Sequence, residues 1–179
     1  FNKTSQKNIN QLSSSINNQG IIAIVNLRKV DQDLFNENQL ILDSISDPGN
    51  LGTILRTAAW YGIKSIIMTE NTIDPYNLKC LRSGVGAQFF FNKLVMANND
   101  DIISFLKNKN YTIYCADLKG TEISQIKASK KWALILGSEA HGLDADFDKF
   151  DKITINKIGT IESLNVAVAC GIILNNLLS

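Results

Sequence analysis

At 179 residues, the chain is long enough for one domain with a sizeable core. Its 45% hydrophobic and 20% charged content is that of an ordinary globular protein, and no apolar stretch reaches the length of a membrane span. Eighteen basic against 17 acidic residues leave a formal net charge of +1, which excludes a uniformly basic surface; a polyanion would need a local patch or another domain.

Residues 1–20 are rich in Asn, Gln and Ser and read as the remnant of a linker, with one domain following over 21–179. The run IIAIV (21–25) is apolar and β-branched, a predicted strand, and a polar helical or loop stretch follows at 31–38. Leu40 to Leu42 reads as a buried strand and Asp47-Pro48-Gly49-Asn50 as a turn. The helix after it, LGTILRTAAWYG, places Leu51, Ile54, Leu55 and Ala58 on one face and Gly62 at its stop. Strands are then predicted at 65–69, 93–97, 111–116, 132–136 and 152–155. Helices are predicted at 75–82 and 100–108, with a final, almost wholly apolar helix starting at Leu164. Such alternation specifies an α/β domain with a mostly parallel sheet flanked by helices.

In open sheets of this class, ligands bind at the C-terminal ends of the strands. Small polar residues and glycines concentrate in three such places: DPGN (47–50), LGSEAHG (136–142) and INKIGTIES (155–163). Arg56 is turned away from the apolar stripe of its helix, which on spacing alone fits a solvated surface arginine. Asn50 is placed to cap that helix, and Gly52 to admit either a packed helix or a ligand. Glu139 and His141 read as loop residues, and a buried Asn165 at the front of the last helix would need hydrogen-bond partners. SGVGAQ (83–88) lacks the third glycine of a dinucleotide loop and leads toward a strand, so it is not a Rossmann fingerprint. Cys80, Cys115 and Cys170 show no metal-ligand spacing, and with a single histidine they give neither a disulfide framework nor a metal site. A reducing, cytoplasmic setting is the expectation.

NLGTILRTA (50–58), LGSEAHGL (136–143) and ESLNVAVA (162–169), in that order, resemble the three motifs of the SpoU (TrmH) family of RNA 2′-O-ribose methyltransferases in the SPOUT superfamily. The resemblance implies a deep C-terminal trefoil knot, S-adenosylmethionine as methyl donor, RNA as substrate and a homodimer packed through the knot region, with no metal and no membrane. It implies cofactor contacts at Gly137, Ser138, Ile155, Ile158, Leu164 and Asn165. Asn50, Arg56, Glu139, Ser163 and Asn165 match the catalytic and RNA-positioning residues. Two positions depart from the pattern: Ile155-Asn156-Lys157 replaces Ile-Pro-Met, and Ala140 stands where glycine is common. QGIIAIV (19–25) resembles the lead-in that follows an N-terminal RNA-binding domain in the ribosomal-RNA enzymes, so such a domain is expected upstream. A guanosine of 23S rRNA is the expected target. The competing readings are a tRNA 2′-O-methyltransferase and a non-catalytic nucleotide- or RNA-binding α/β protein.

Overall fold

The computed structural model describes residues 2–13, 18–26 and 37–179. Residues 31–36 of the predicted polar stretch lie outside the described residues. A short helix, α1 (Gln6–Leu12), is capped by Ser5. The predicted strand at 21–25 does not form: Ile21 and Ile24 are 79% and 94% exposed, and the run pairs with neither edge of the sheet. β-branched side chains favour a strand only where a neighbour supplies ladder hydrogen bonds and a surface to pack on.

The six strands are β1 (Gln39–Leu42), β2 (Ser65–Thr69), β3 (Lys93–Ala97), β4 (Thr112–Glu122), β5 (Trp132–Leu136) and β6 (Asp151–Thr154). They pair throughout in parallel, in the order β3-β2-β1-β5-β4-β6. The central strands are buried on both faces, which is why LIL and WALIL read as continuous apolar runs rather than alternating ones. Leu40 and Leu42 face one core, shared with Ile66, Met68, Leu134 and Leu136. Ile41 faces a second core, with Ile67, Ile135 and α4 (Asn99–Asn108).

On the first face lie α2 (Pro48–Trp60), α3 (Leu78–Gly84) and α5 (Val166–Leu177). The DPGN segment is the first turn of α2, not a separate turn before it. Asp47 is the N-cap, accepting from Asn50 N at 2.8 Å, and Pro48 occupies the first turn, where its missing N–H costs nothing. Capping therefore falls to Asp47, and Asn50 keeps its side chain for other partners. The backbone N–H of Asn50 also holds the Asp47 carboxyl below its ordinary pKa. Gly62, at φ +75°, follows the C-cap, as expected of a helix stop.

Gly52 and SGVG explain each other. A Cβ on Gly52 would lie 1.9 Å from Ser83 Oγ and 2.6 Å from Cys80 O, so α3 crosses α2 at a point that tolerates no side chain. Ser83 Oγ in turn donates to Pro48 O at 3.0 Å. The glycine of the first motif thus serves helix packing rather than ligand approach.

β4 runs to Glu122, well past its predicted end, because it bulges after Ala116 and then pairs again, still in parallel, with β6. Ile153 pairs with both Ala116 and Thr121, and a Cβ on Gly120 would sit 2.4 Å from Lys152 O. The last helix is not buried all round as its composition suggests. Cys170, Ile173 and Leu174 are buried, but Val168 and Ile172 are 52% and 41% exposed.

Candidate functional site

Strand order reverses between β1 and β5, so the chains leaving their C-terminal ends diverge and open a crevice there. After β1 the chain runs into α2, which bears Asn50 on its half-buried first turn. After β5 it makes a tight turn: Ser138 and Gly142 exchange backbone hydrogen bonds of 3.0 and 2.9 Å, and Gly142 takes φ +71°. His141 N donates to Ser138 Oγ at 3.1 Å, which fixes His141 as part of the turn. Ala140 shows no positive φ, so the departure from glycine causes no backbone strain there. A Cβ on Gly137 would lie 2.3 Å from Gly142 O; this glycine closes the turn. The turn presents Glu139.

β6 lies beyond β4 from β5, so the segment from Ile155 to Asn165 crosses the C-terminal ends of both on its way to α5. It ends at Asn165, the N-cap of α5, whose Oδ1 accepts from Ala167 N and Val168 N at 3.0 and 3.3 Å.

These three segments meet in a closed triangle of side chains. Asn165 Nδ2 donates to Asn50 Oδ1 at 2.9 Å and to Glu139 Oε1 at 2.8 Å. Asn50 Nδ2 donates to Glu139 Oε2 at 3.1 Å, and Val166 N donates to Glu139 Oε1 at 3.0 Å. The Glu139 carboxylate therefore accepts from two side-chain amides and from the first backbone N–H of α5, which fixes its orientation. Asn165 is exposed, not buried as its place in an apolar run implies; its polar atoms are satisfied at the surface by capping and by the triangle.

The other expected residues lie around this triangle without joining it. Arg56 is exposed, six residues along α2 from Asn50, or about 9 Å of helix rise. It lines an open groove of about 410 Å³ with Thr53, Thr57 and Trp60. Among the described residues it forms no ion pair, so its charge is available to a ligand. Ser163 is exposed two residues before the cap, and Ser138 holds its own turn. Ile155 packs against the first core, whereas Ile158 and Leu164 are 97% and 48% exposed. With Ile161 at 79%, they give the crossing segment an apolar surface open to solvent beside the polar triangle. That combination fits a cofactor with a flat apolar ring and polar substituents. No metal-binding cluster of His, Cys, Asp and Glu occurs among the described residues.

Sequence reasoning missed Asp43. It directly follows β1, is only 2% exposed, and its Oδ2 accepts from Asp144 N at 2.7 Å, just beyond the Ser138–Gly142 turn. The only signal was a lone carboxylate at the end of LIL, which spacing cannot separate from a loop aspartate.

Residues 37–175 match the family model described as the SpoU rRNA Methylase family. An uncharacterized tRNA/rRNA methyltransferase of Borreliella burgdorferi is 40% identical over 142 residues, covering 75% of this chain and 60% of that protein. The 23S rRNA (guanosine(2553)-2′-O)-methyltransferase RlmP of Bacillus subtilis is 37% identical over 141 residues, covering 77% of this chain and 56% of that one. The chain thus spans less than two thirds of the length of these curated relatives. Among solved structures, the AdoMet-bound rRNA methyltransferase from Sinorhizobium meliloti superposes with a TM-score of 0.73 at 32% identity, covering 79% of this chain and 55% of that chain.

Proposed function

Because the chain belongs to the SpoU rRNA methylase family, we propose that it transfers a methyl group from S-adenosylmethionine to a ribose 2′-hydroxyl of RNA. The observation behind this reading is the triangle of Asn50, Glu139 and Asn165, which joins one residue from each of the three motifs at the crevice between β1 and β5.

S-adenosylmethionine, when bound, supplies an activated methyl group on a sulfonium. The residues to hold it are the backbone of Gly137 and Ser138, the segment at Ile155 and Ile158, and Leu164 with Asn165. The exposed apolar side chains of that segment would cover an adenine, and open backbone groups would meet its polar edge. Asn156 and Lys157 leave this arrangement possible, because both are exposed and the segment offers main-chain atoms.

Methyl transfer needs the hydroxyl oxygen in line with the methyl carbon, and alignment alone can lower the barrier substantially. The triangle keeps Asn50 and Asn165 rigid beside the reacting atoms. Arg56 binds the phosphate next to the target ribose and lowers the hydroxyl's pKa electrostatically. Ser163 lies at the edge of the same crevice and positions RNA.

The target within this reading is a guanosine of 23S rRNA, supported by the name of the Bacillus subtilis relative at 37% identity. The active species is a homodimer, supported by the exposed apolar face of Val168 and Ile172 on α5 and by Trp60 on α2, 85% exposed. A C-terminal trefoil knot belongs to the same reading, supported by membership of the SpoU family. No helix among the described residues is long and apolar enough to cross a membrane.

The test is incubation with methyl-labelled S-adenosylmethionine and separated rRNA and tRNA, followed by mapping of 2′-O-methylated positions. Label in a 23S guanosine supports the full reading. Label in tRNA alone moves the substrate, and label on a base rather than a ribose overturns the reaction assigned.

A further inference from the structure

Of the three segments that meet in the triangle, the start of α2 and the Glu139 turn leave the neighbouring strands β1 and β5. Asp43 lies where those loops are closest to the sheet. Its backbone N–H donates to Leu136 O at 2.8 Å, which joins the residue after β1 to the last residue of β5. Its carboxylate is buried and receives three donors: Asp144 N at 2.7 Å on Oδ2, and Thr69 Oγ1 at 3.1 Å and Ser44 Oγ at 3.0 Å on Oδ1.

The surrounding hydroxyls extend the same clamp. Thr69 Oγ1 also accepts from Ser44 N at 2.9 Å, and Thr72 Oγ1 donates to Leu42 O at 3.1 Å while accepting from Ile45 N at 3.3 Å. Ser44 is held at φ +56°, a conformation a non-glycine residue adopts only under such constraint. The chain entering α2 is thereby fixed on one side of Asp43. The chain leaving the Glu139 turn is fixed on the other.

We propose that Asp43 is a positioning residue for the reaction: it holds the Glu139 turn against the start of α2, so that Glu139 meets Asn50 and Asn165 before any ligand binds. The proposal concerns the geometry of the triangle, and its consequence for catalysis rests on the methyltransferase reading. Asp43 itself touches neither RNA nor cofactor; it acts through Glu139.

Asp43→Asn tests this, because it keeps the shape but sets an N–H₂ group against Asp144 N or against the hydroxyls. Nitrogen–proton spectra of the whole chain report the side-chain amides of Asn50 and Asn165 directly. In Asp43→Asn these resonances should move toward free-amide positions and exchange faster with solvent, while the backbone amides of Leu40 and Leu134 stay put. Unchanged Asn50 and Asn165 amides overturn the proposal. If Asp43→Asn does not fold, Thr69→Val, which removes one donor to Oδ1 at nearly constant volume, should give the same displacement in smaller measure, and the same absence of change overturns it.

Turnover supplies the second reading. Asp43→Asn should lower kcat on the order of 10- to 100-fold with little change in KM, as a misplaced but intact catalytic group does. In a Glu139→Ala background the same substitution should cost almost nothing more. Equal losses in both backgrounds would make Asp43 a general structural residue and overturn the proposal. A parent chain that methylates no RNA would remove the proposed function, and the amide resonances would still decide for or against Asp43.

Discussion

Glu139 closes the N-terminus of the helix that Asn165 begins. One oxygen, Oε1, accepts from the Asn165 side chain at 2.8 Å and from the backbone of Val166 at 3.0 Å, so the third motif is capped by its own asparagine and by a carboxylate from the second. Stability and site geometry are therefore coupled at this point.

Asn165→Ala should act on both. It deletes the acceptor for Ala167 N and Val168 N and both donors into the triangle. Loss of such a cap costs about 1 kcal/mol. Thermal unfolding should show a lowered midpoint, and methyl transfer should be lost. Asn165→Asp keeps the cap and sets a second carboxylate against Glu139; it should retain more stability than the alanine variant but recover no activity.

Arg56→Ala should separate folding from chemistry. Arg56 is exposed and forms no ion pair among the described residues, so its truncation should change stability by less than about 0.5 kcal/mol. Cofactor affinity measured by calorimetry should hold, while kcat on RNA falls roughly 100-fold or more. A variant with near-normal turnover would remove Arg56 from the mechanism.

Gly52→Ala should be severe despite adding one methyl group. The new Cβ would meet Ser83 Oγ and the backbone at Cys80 and Gly84, so α2 and α3 must separate. Overpacking of this kind costs about 1–3 kcal/mol. Removing the hydroxyl as well, in Gly52→Ala with Ser83→Ala, should not restore the urea midpoint, because the backbone contacts remain.

High pH should weaken the fold through its buried thiols. Burial pushes Cys115 and Cys170 up to about 12 from a usual 9.0. Between those values the unfolded chain releases thiol protons that the folded chain retains, so stability is intact below about 9 and falls as pH rises toward 12. Urea midpoints across that range should decline, and less steeply in a Cys170→Ala variant. Neither thiol should react with alkylating reagents at neutral pH before unfolding.

Sedimentation at micromolar concentration should report about twice 19.8 kDa. Ile172→Asp places a charge on the exposed side of α5, where the side chain is 41% open to solvent. It should yield a folded monomer; a parent chain already monomeric would contradict the dimer.

The sequence made the frame legible where burial is two-sided. LIL and WALIL announce β1 and β5 because both faces of those strands are covered, and Leu51, Ile54, Leu55 and Ala58 announce the inner face of α2. It failed at 21–25, where the same apolar, β-branched signal finds no strand beside it. It also misjudged Asn165: an apolar run suggests a buried amide, whereas the cap lies at the surface. The three motifs marked which loops matter, but not that Asn50, Glu139 and Asn165 bond to one another. Hydrogen bonds between residues so far apart leave no periodicity to detect. Asp43 was hidden for the same reason: its partners Thr69 and Asp144 lie at the end of β2 and beyond β5, and only folding shows them together.

The strand order fixes when the site can exist during synthesis. β1 is made early, yet one of its two neighbours is β5, and Asn50 waits for a partner 115 positions further on. A nascent chain can pair β1 with β2 and β3 and pack α2 and α3, but one edge of β1 stays open until β5 emerges. The triangle is completed only once α5 has left the ribosome and its cap has formed. Until β5 emerges, the unpaired edge of Leu40 to Leu42 is a place for misassembly, since long-range parallel pairing forms slowly and exposes strand edges meanwhile. A ribosome that stalls between β5 and α5 would therefore release a domain with most of its sheet and no working site.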